Sequence, residues 1–147
     1  MKEVTTKKRI EINAAPEKAF AFIADPRNIT LVFPELAQVS NFSTDPLEKG
    51  STYNFKYLMG GSLLNGVATV EKMKEPSLIV ISTKGLGASV WTHEFTPSGS
   101  GSTYQVTMKY SIPDGLISEA EQQEIIASND KAIELMTQRL KERLEKE

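Results

Sequence analysis

Residues 118–147, SEAEQQEIIASNDKAIELMTQRLKERLEKE, read as one uninterrupted amphipathic helix. Ile125, Ile126, Ala132, Ile133, Met136, Leu140 and Leu144 recur at helical spacing, with Asn129 set among them, and charged residues fill the remaining faces. Ser118 and Glu121 have the spacing of a capping box, in which hydroxyl and carboxylate satisfy exposed helix N–H groups. Pairs such as Glu142 and Lys146 add i,i+4 support. At roughly 1.5 Å per residue this helix is about 43 Å long, enough to cross a small domain. Its narrow stripe covers a surface on one side only.

That surface is legible immediately upstream. From Leu36 to Ile112 the apolar period changes to two, with candidate strands at Ala37–Thr44, Ser51–Met59, Leu64–Lys74, Leu78–Lys84, Ala88–Thr96 and Thr103–Ile112. The connectors carry turn chemistry: Asp45-Pro46 with Gly50, Gly60-Gly61, Glu75-Pro76-Ser77, Gly85 with Gly87, and Pro97 to Gly101. Links this short join antiparallel neighbours, because a parallel crossover needs about a dozen residues or more. Pro113-Asp114-Gly115 separates the meander from the helix. At the other end, residues 4–13 alternate as a further strand with Val4, Thr6, Lys8, Ile10 and Ile12 on one face. Pro16 and Glu17 open a short helix with Ala19, Phe20, Ile23 and Ala24 inward. Asp25-Pro26 stops it and caps a second, which Pro34 ends. The class is α+β: about seven antiparallel strands, two short helices after the first, and a long C-terminal helix.

The strand parity assigns faces. Tyr104, Val106, Met108, Tyr110 and Ile112 share the inward face of the last strand. Tyr53, Phe55, Tyr57 and Met59 share another, and Trp91, His93 and Phe95 a third. Residues 64–74 and 78–84 are partly apolar on both faces and stay unassigned. All four tyrosines, the single tryptophan and the single histidine thus fall on inward faces. A buried phenol needs a partner. Four phenols without charged partners point to a cavity that holds water or a ligand. A rim-reaching hydroxyl remains the simpler account of any one of them.

Composition narrows the chemistry. There is no cysteine, so no disulfide, thiolate nucleophile or cysteine metal site is available, and one histidine excludes a multi-histidine site. Seventeen basic and nineteen acidic residues give a net charge of −2, with no drive toward nucleic acid. The basic run Lys7, Lys8, Arg9 is interleaved with the strand pattern and reads as its solvated edge. No apolar run is long enough to span a membrane, and no signal sequence is apparent, so a cytoplasmic protein is expected. No metal and no cofactor are expected. His93 is a candidate acid or base near neutral pH, but Glu94 points the other way, and a hydrogen-bonded structural role is the stronger reading. Gly85-Leu86-Gly87-Ala88-Ser89 lacks the lysine and spacing of a phosphate cradle and reads as a loop at a cavity mouth.

Several stretches carry a family resemblance. They are the run from Ile12 to Pro26 (INAAPEKAFAFIADP), the Phe33-Pro34-Glu35-Leu36 bend, GVATVE from Gly66 to Glu71, and WTHEFTP from Trp91 to Pro97, followed by Gly101-Ser102-Thr103 and Val106-Thr107. On these the chain resembles the SRPBCC superfamily, the birch-pollen-allergen-like, START-like and polyketide cyclase/dehydrase-like proteins, over essentially its whole length as one domain, 1–147. Leu31-Val32-Phe33 stands where members often carry tryptophan, and Ala37 where they often carry glycine. The resemblance implies a helix-grip fold with an apolar cavity between a curved sheet and the last helix, reached near the short helices and hairpin loops. It implies carriers of lipids, sterols, hormones and quinones as well as polyketide aromatase/cyclases, so fold alone selects no function.

Three functions follow as expectations. The first is binding of a hydrophobic or aromatic small molecule by Tyr53, Phe55, Tyr57, Trp91, His93, Phe95, Tyr104, Met108 and Tyr110, with Ile126, Ile133 and Met136 as lid. The second is a polyketide cyclase or dehydratase using His93 and cavity tyrosines. The third is a protein-interaction module, with an apolar patch at Leu31-Val32-Phe33 serving a protein partner or a dimer; the chain is expected as a monomer or a homodimer.

Overall fold

A computed structural model describes residues 2–59, 61–85, 87–112, 115 and 117–146, with the backbone alone for Met59 and Gly87. The face of the Met59 side chain, Gly60 of the expected turn, Leu86 of the expected loop and Pro113-Asp114 of the expected break lie outside the described residues. The elements in chain order are β1 (Lys2–Ile12), α1 (Pro16–Ile23), α2 (Pro26–Val32), β2 (Leu36–Ser40), β3 (Thr52–Met59), β4 (Ser62–Lys74), β5 (Leu78–Gly85), β6 (Gly87–Ser98), β7 (Gly101–Ile112) and α3 (Glu119–Lys146). Consecutive strands β2 to β7 pair antiparallel as the short links require, and β1 adds to β7, giving the order β1-β7-β6-β5-β4-β3-β2. This is the helix-grip arrangement: a curved seven-stranded antiparallel sheet with α3 across it.

The helix termini follow their local chemistry. The Asp25 side chain accepts a hydrogen bond from the Arg27 N–H at 3.0 Å, with Pro26 in the first turn. Ser118 and Glu121 close the capping box reciprocally, at 3.1 Å from the Glu121 N–H to the Ser118 hydroxyl and 3.0 Å from the Ser118 N–H to the Glu121 carboxylate. The exposed Arg27 guanidinium also reaches Asp45 at 3.0 Å and lies 5.0 Å from the Phe42 ring, tying the segment after β2 to α2.

Several strands run two residues further than expected, so that Pro97 and Ser98 pair with Ser102 and Gly101 instead of forming a connector, and two further differences have a local cause. β2 stops at Ser40 rather than Thr44, because Asn41 adopts φ 55°, a left-handed conformation that asparagine tolerates and an extended strand does not continue through. Gly85 on one side and Gly87 to Ser89 on the other continue the paired strands rather than belonging to an open loop, since Gly85↔Gly87, Lys84↔Ala88 and Thr83↔Ser89 are all in register. Gly85 is needed there: a side chain would meet the Asn65 carbonyl oxygen of β4 at 2.7 Å.

The space between sheet and α3 is filled at one end and hollow at the other. At the filled end Phe95 sits between Phe20 and Tyr104, with ring centroids 5.7 and 5.3 Å away. Leu140 and Leu144 of α3 are buried in the same core. Polar contacts pin this half of α3: Lys141 donates to the Glu11 carbonyl at 2.9 Å, the Asn13 N–H to Glu145 at 2.8 Å and Lys18 to the Leu144 carbonyl at 3.0 Å. The i,i+4 ion pair in this turn is Lys141–Glu145 at 2.6 Å. Toward its N-terminus α3 loosens its hold. Its fully buried positions begin at Asn129, and the two turns before that are exposed or half-buried.

Candidate ligand-binding cavity

Cross-strand register stacks the inner face of the sheet into rows. Ala68, Thr83, Ser89 and Tyr110 form one row, and Ile81, Trp91 and Met108 the next. Ile79, His93 and Val106 follow, and Phe95 pairs with Tyr104 beyond them. The two strands left open by sequence are settled by this register: Leu64, Gly66 and Ala68 face inward opposite Tyr57, Phe55 and Tyr53, whereas Leu63 and Val67 point out to solvent.

Small residues on β4 open the hollow. A side chain at Gly66 would lie 2.3 Å from the end of the Phe55 ring, so the ring occupies the space that glycine leaves. Ala68 contributes only a methyl beside Tyr53. The result is a cavity of about 140 Å³ with a predominantly apolar wall. An apolar void of roughly 150 Å³ holds benzene, so there is room for a one-ring molecule. Asn65, Lys84, Gly85 and Ala88 are lining residues that are also exposed, and they mark where the hollow meets solvent.

Eight of the residues expected from sequence meet on this wall: Tyr53, Phe55, Tyr57, Trp91, His93, Met108 and Tyr110 from the sheet and Met136 from α3. Phe95 and Tyr104 do not; at the filled end Phe95 packs against Phe20 and Tyr104 packs against Phe95. Ile126 and Ile133 are not on the wall either: Ile133 is buried in the core and Ile126 half-buried beside it. The wall also includes residues that strand parity did not single out. Ile29, Phe33 and Leu36 come from α2 and the bend after it, and Phe33 packs against Tyr57 and Trp91 at 5.9 and 5.7 Å. Thr83 and Ser89 come from the β5–β6 hairpin. Because Phe33 is buried, the patch expected at Leu31-Val32-Phe33 reduces to Leu31, which is 52% exposed; Val32 is buried as well.

The polar side chains that line the hollow are uncharged apart from Lys84 at its mouth, and the Glu35 carboxylate lies near Tyr57. His93 is buried, its Nδ1 2.7 Å from the Tyr104 hydroxyl, and its ring stacks between Trp91 and Tyr104. Burial lowers its pKa to about 4, so the imidazole is neutral at physiological pH. The Trp91 indole N–H donates to the Ser89 hydroxyl at 3.1 Å, and Ser89 is in turn hydrogen-bonded to Thr83. The Tyr57 hydroxyl donates to Asn129 of α3 at 3.4 Å. Burial pushes the phenols of Tyr53, Tyr57, Tyr104 and Tyr110 upward; Glu35 adds to the rise at Tyr57, and Asn129 opposes it at Tyr110. The Tyr110 hydroxyl, the Asn129 amide nitrogen and one Glu35 carboxylate oxygen are buried without a hydrogen-bond partner among the described residues. Asn129 interrupts the apolar stripe of α3, and that is the sequence signal that could have marked it. No group of three or more His, Asp or Glu side chains among the described residues could hold a metal ion, and no described helix is long and apolar enough to cross a membrane.

Comparison with known proteins agrees with this architecture. TTHA0849 from Thermus thermophilus superposes with a TM-score of 0.81 at 14% identity, covering 96% of this chain and 97% of that one. Ara h 8.0201 superposes at 0.64 with 9% identity over 95% and 98% of the two chains. The di-domain ARO/CYC StfQ from the steffimycin biosynthetic pathway superposes at 0.75 with 11% identity; this chain is 95% covered and spans 49% of that protein. At these identities the likeness is one of fold. No curated protein sequence matches the chain. The sequence profile of the family described as polyketide cyclase / dehydrase and lipid transport matches residues 2–145. The chain therefore belongs to that family, within the SRPBCC superfamily.

Proposed function

We propose that this protein binds a small hydrophobic or aromatic molecule in the hollow between the sheet and α3. The observation that carries this reading is the cavity itself: about 140 Å³, walled by Tyr53, Phe55, Trp91, Met108 and Met136, and reaching solvent beside the β5–β6 hairpin. Ala68 puts only a methyl on its wall and the Phe55 ring lies in the space that Gly66 leaves, while the other end of the same interface is packed solid. Ligand sites are concave, mostly apolar and supplied with a few orienting polar groups, which describes this wall. A cyclase or dehydratase activity is the second reading, supported by the family description and by the aromatase/cyclase neighbour. It is the weaker of the two, because an imidazole with a pKa near 4 is poorly matched to proton transfer at neutral pH.

Trp91 is the single tryptophan and lies on the cavity wall, so its fluorescence reports on occupancy alone. Titration with one- and two-ring aromatics, fatty acids and quinones is expected to change that emission saturably and to raise Tm. Native mass spectrometry of protein purified from its own host should show a retained small molecule. No response to any class, together with no retained mass, overturns the proposal.

A further inference from the structure

Counting protons on the cavity wall goes further than its apolarity. Tyr104 is 0% exposed and its hydroxyl has one partner among the described residues, His93 Nδ1. Were Nδ1–H to donate, the phenolic hydrogen would be left buried with no acceptor and would carry the full desolvation penalty of an orphaned donor. The phenol therefore donates, Nδ1 accepts, and the imidazole hydrogen sits on Nε2. Nε2 has no hydrogen-bond partner among the described residues, and His93 lines the cavity. Nearer the mouth, Thr83, Ser89 and Trp91 hold three hydrogens and two oxygens. The indole hydrogen and one hydroxyl hydrogen are used inside the trio, and one hydroxyl hydrogen remains. Tyr110, in the same row, carries a further hydroxyl, which interacts with Asn129 of α3.

The lining thus has hydrogens to give, and the one buried carboxylate near it, Glu35 beside Tyr57, is not among the lining residues. Lys84 borders the hollow, but alternation along β5 turns its side chain to the face that carries Val80 and Ser82, opposite Ile81 and Thr83. We infer that the ligand of this cavity is an uncharged, ring-sized apolar molecule bearing a carbonyl-type oxygen, accepted by His93 Nε2–H, with Tyr104 as the residue that sets the donating tautomer. This rests on the binding function proposed above and adds to it a ligand class. Carboxylates and amines find no counter-charge on the wall, and a pure hydrocarbon leaves the imidazole N–H unpaired.

Two measurements on the unmodified protein test it. His93 is the only histidine, so ¹⁵N spectra show one imidazole. The free protein is expected to show hydrogen on Nε2 and a bare Nδ1. Hydrogen on Nδ1 overturns the inference whatever binds. The second measurement titrates acetophenone and α-methylstyrene, which differ in replacing a carbonyl oxygen by a methylene of nearly the same shape. Both should change Trp91 emission, and only the ketone should shift the Nε2 resonance. Binding of both with the same imidazole response overturns the carbonyl assignment and leaves the cavity function standing. Failure of both to bind at their solubility limits removes the cavity function and this inference together. Benzoate or benzylamine binding more tightly than acetophenone likewise overturns the assigned class.

Discussion

The imidazole of His93 and the phenol of Tyr104 form a buried hydrogen bond of 2.7 Å between adjacent strands β6 and β7, with their rings inclined by only 11°. They lie one register step apart, His93 opposite Val106 and Tyr104 opposite Phe95, so the bond crosses the sheet diagonally. Through this bond the solid end of the core meets the wall of the cavity, and two predictions concern it.

The pH dependence of stability should carry the signature of His93. Its pKa falls from 6.5 in the unfolded chain to about 4 in the folded one. At high pH both states are neutral. As pH drops through 6.5 the unfolded state takes up a proton that the folded state refuses, so stability is lost between pH 6.5 and 4. Between about pH 7.5 and 5 the loss should be about 2 kcal/mol. Urea unfolding at the two pH values measures it, and in His93→Gln the difference should nearly vanish. A wild-type stability that is flat over this window would show that the imidazole is not buried in neutral form.

Tyr104→Phe removes the one partner of Nδ1 while keeping the ring that packs on Phe95. An acceptor left unpaired in the core costs about 1–3 kcal/mol. Chemical denaturation near neutral pH should show that decrease. A change below about 0.5 kcal/mol would mean that water replaces the phenol.

Gly66→Ala should disturb the cavity wall. The added Cβ would stand 2.3 Å from Phe55 Cζ and 2.8 Å from the Lys84 carbonyl oxygen, and the second atom belongs to backbone that cannot swing away. Overpacking of this kind costs about 1–3 kcal/mol. Thermal unfolding should register the loss, and a Phe55 ring displaced into the hollow should weaken binding of any aromatic probe. An unaltered Tm would contradict the close approach.

Ala68→Leu is the filling experiment. Ala68 is 1% exposed and its methyl borders the void, so a larger apolar side chain has somewhere to go. The variant should keep its fold and lose binding of one-ring probes by about tenfold or more, the equivalent of about 1.4 kcal/mol. Titration of Trp91 emission compares the two proteins. Equal affinity would place the ligand elsewhere.

Local order was readable from the chain because it depends on neighbours in sequence. Alternation marked Tyr104, Val106, Met108 and Tyr110 as inward, and these residues are buried. Asp25-Pro26 and the Ser118–Glu121 box announced helix starts through hydrogen bonds spanning two or three residues. The family resemblance supplied the helix-grip arrangement of sheet and α3. The faces of β4 and β5 were not readable, since Leu63, Leu64 and Val67 are all apolar and only pairing with Tyr57 and Phe55 decides which of them turns inward. Likewise the short extent of β2 depends on one left-handed asparagine.

What the sequence determined by itself is the set of strands and helices, their antiparallel succession and the aromatic character of the inner face, because periodicity and turn chemistry act over a few residues. What only the tertiary structure decided is how that aromatic face is divided. Phe95 meets Phe20 of α1 and, with Tyr104 packed on it, becomes solid core, whereas Phe55 and Tyr53 lie opposite Gly66 and Ala68 and with Tyr57 and Trp91 become the wall of a hollow. Inward-facing residues of one type are alike in sequence; whether they enclose space depends on the volume contributed from across the interface by segments far away in the chain.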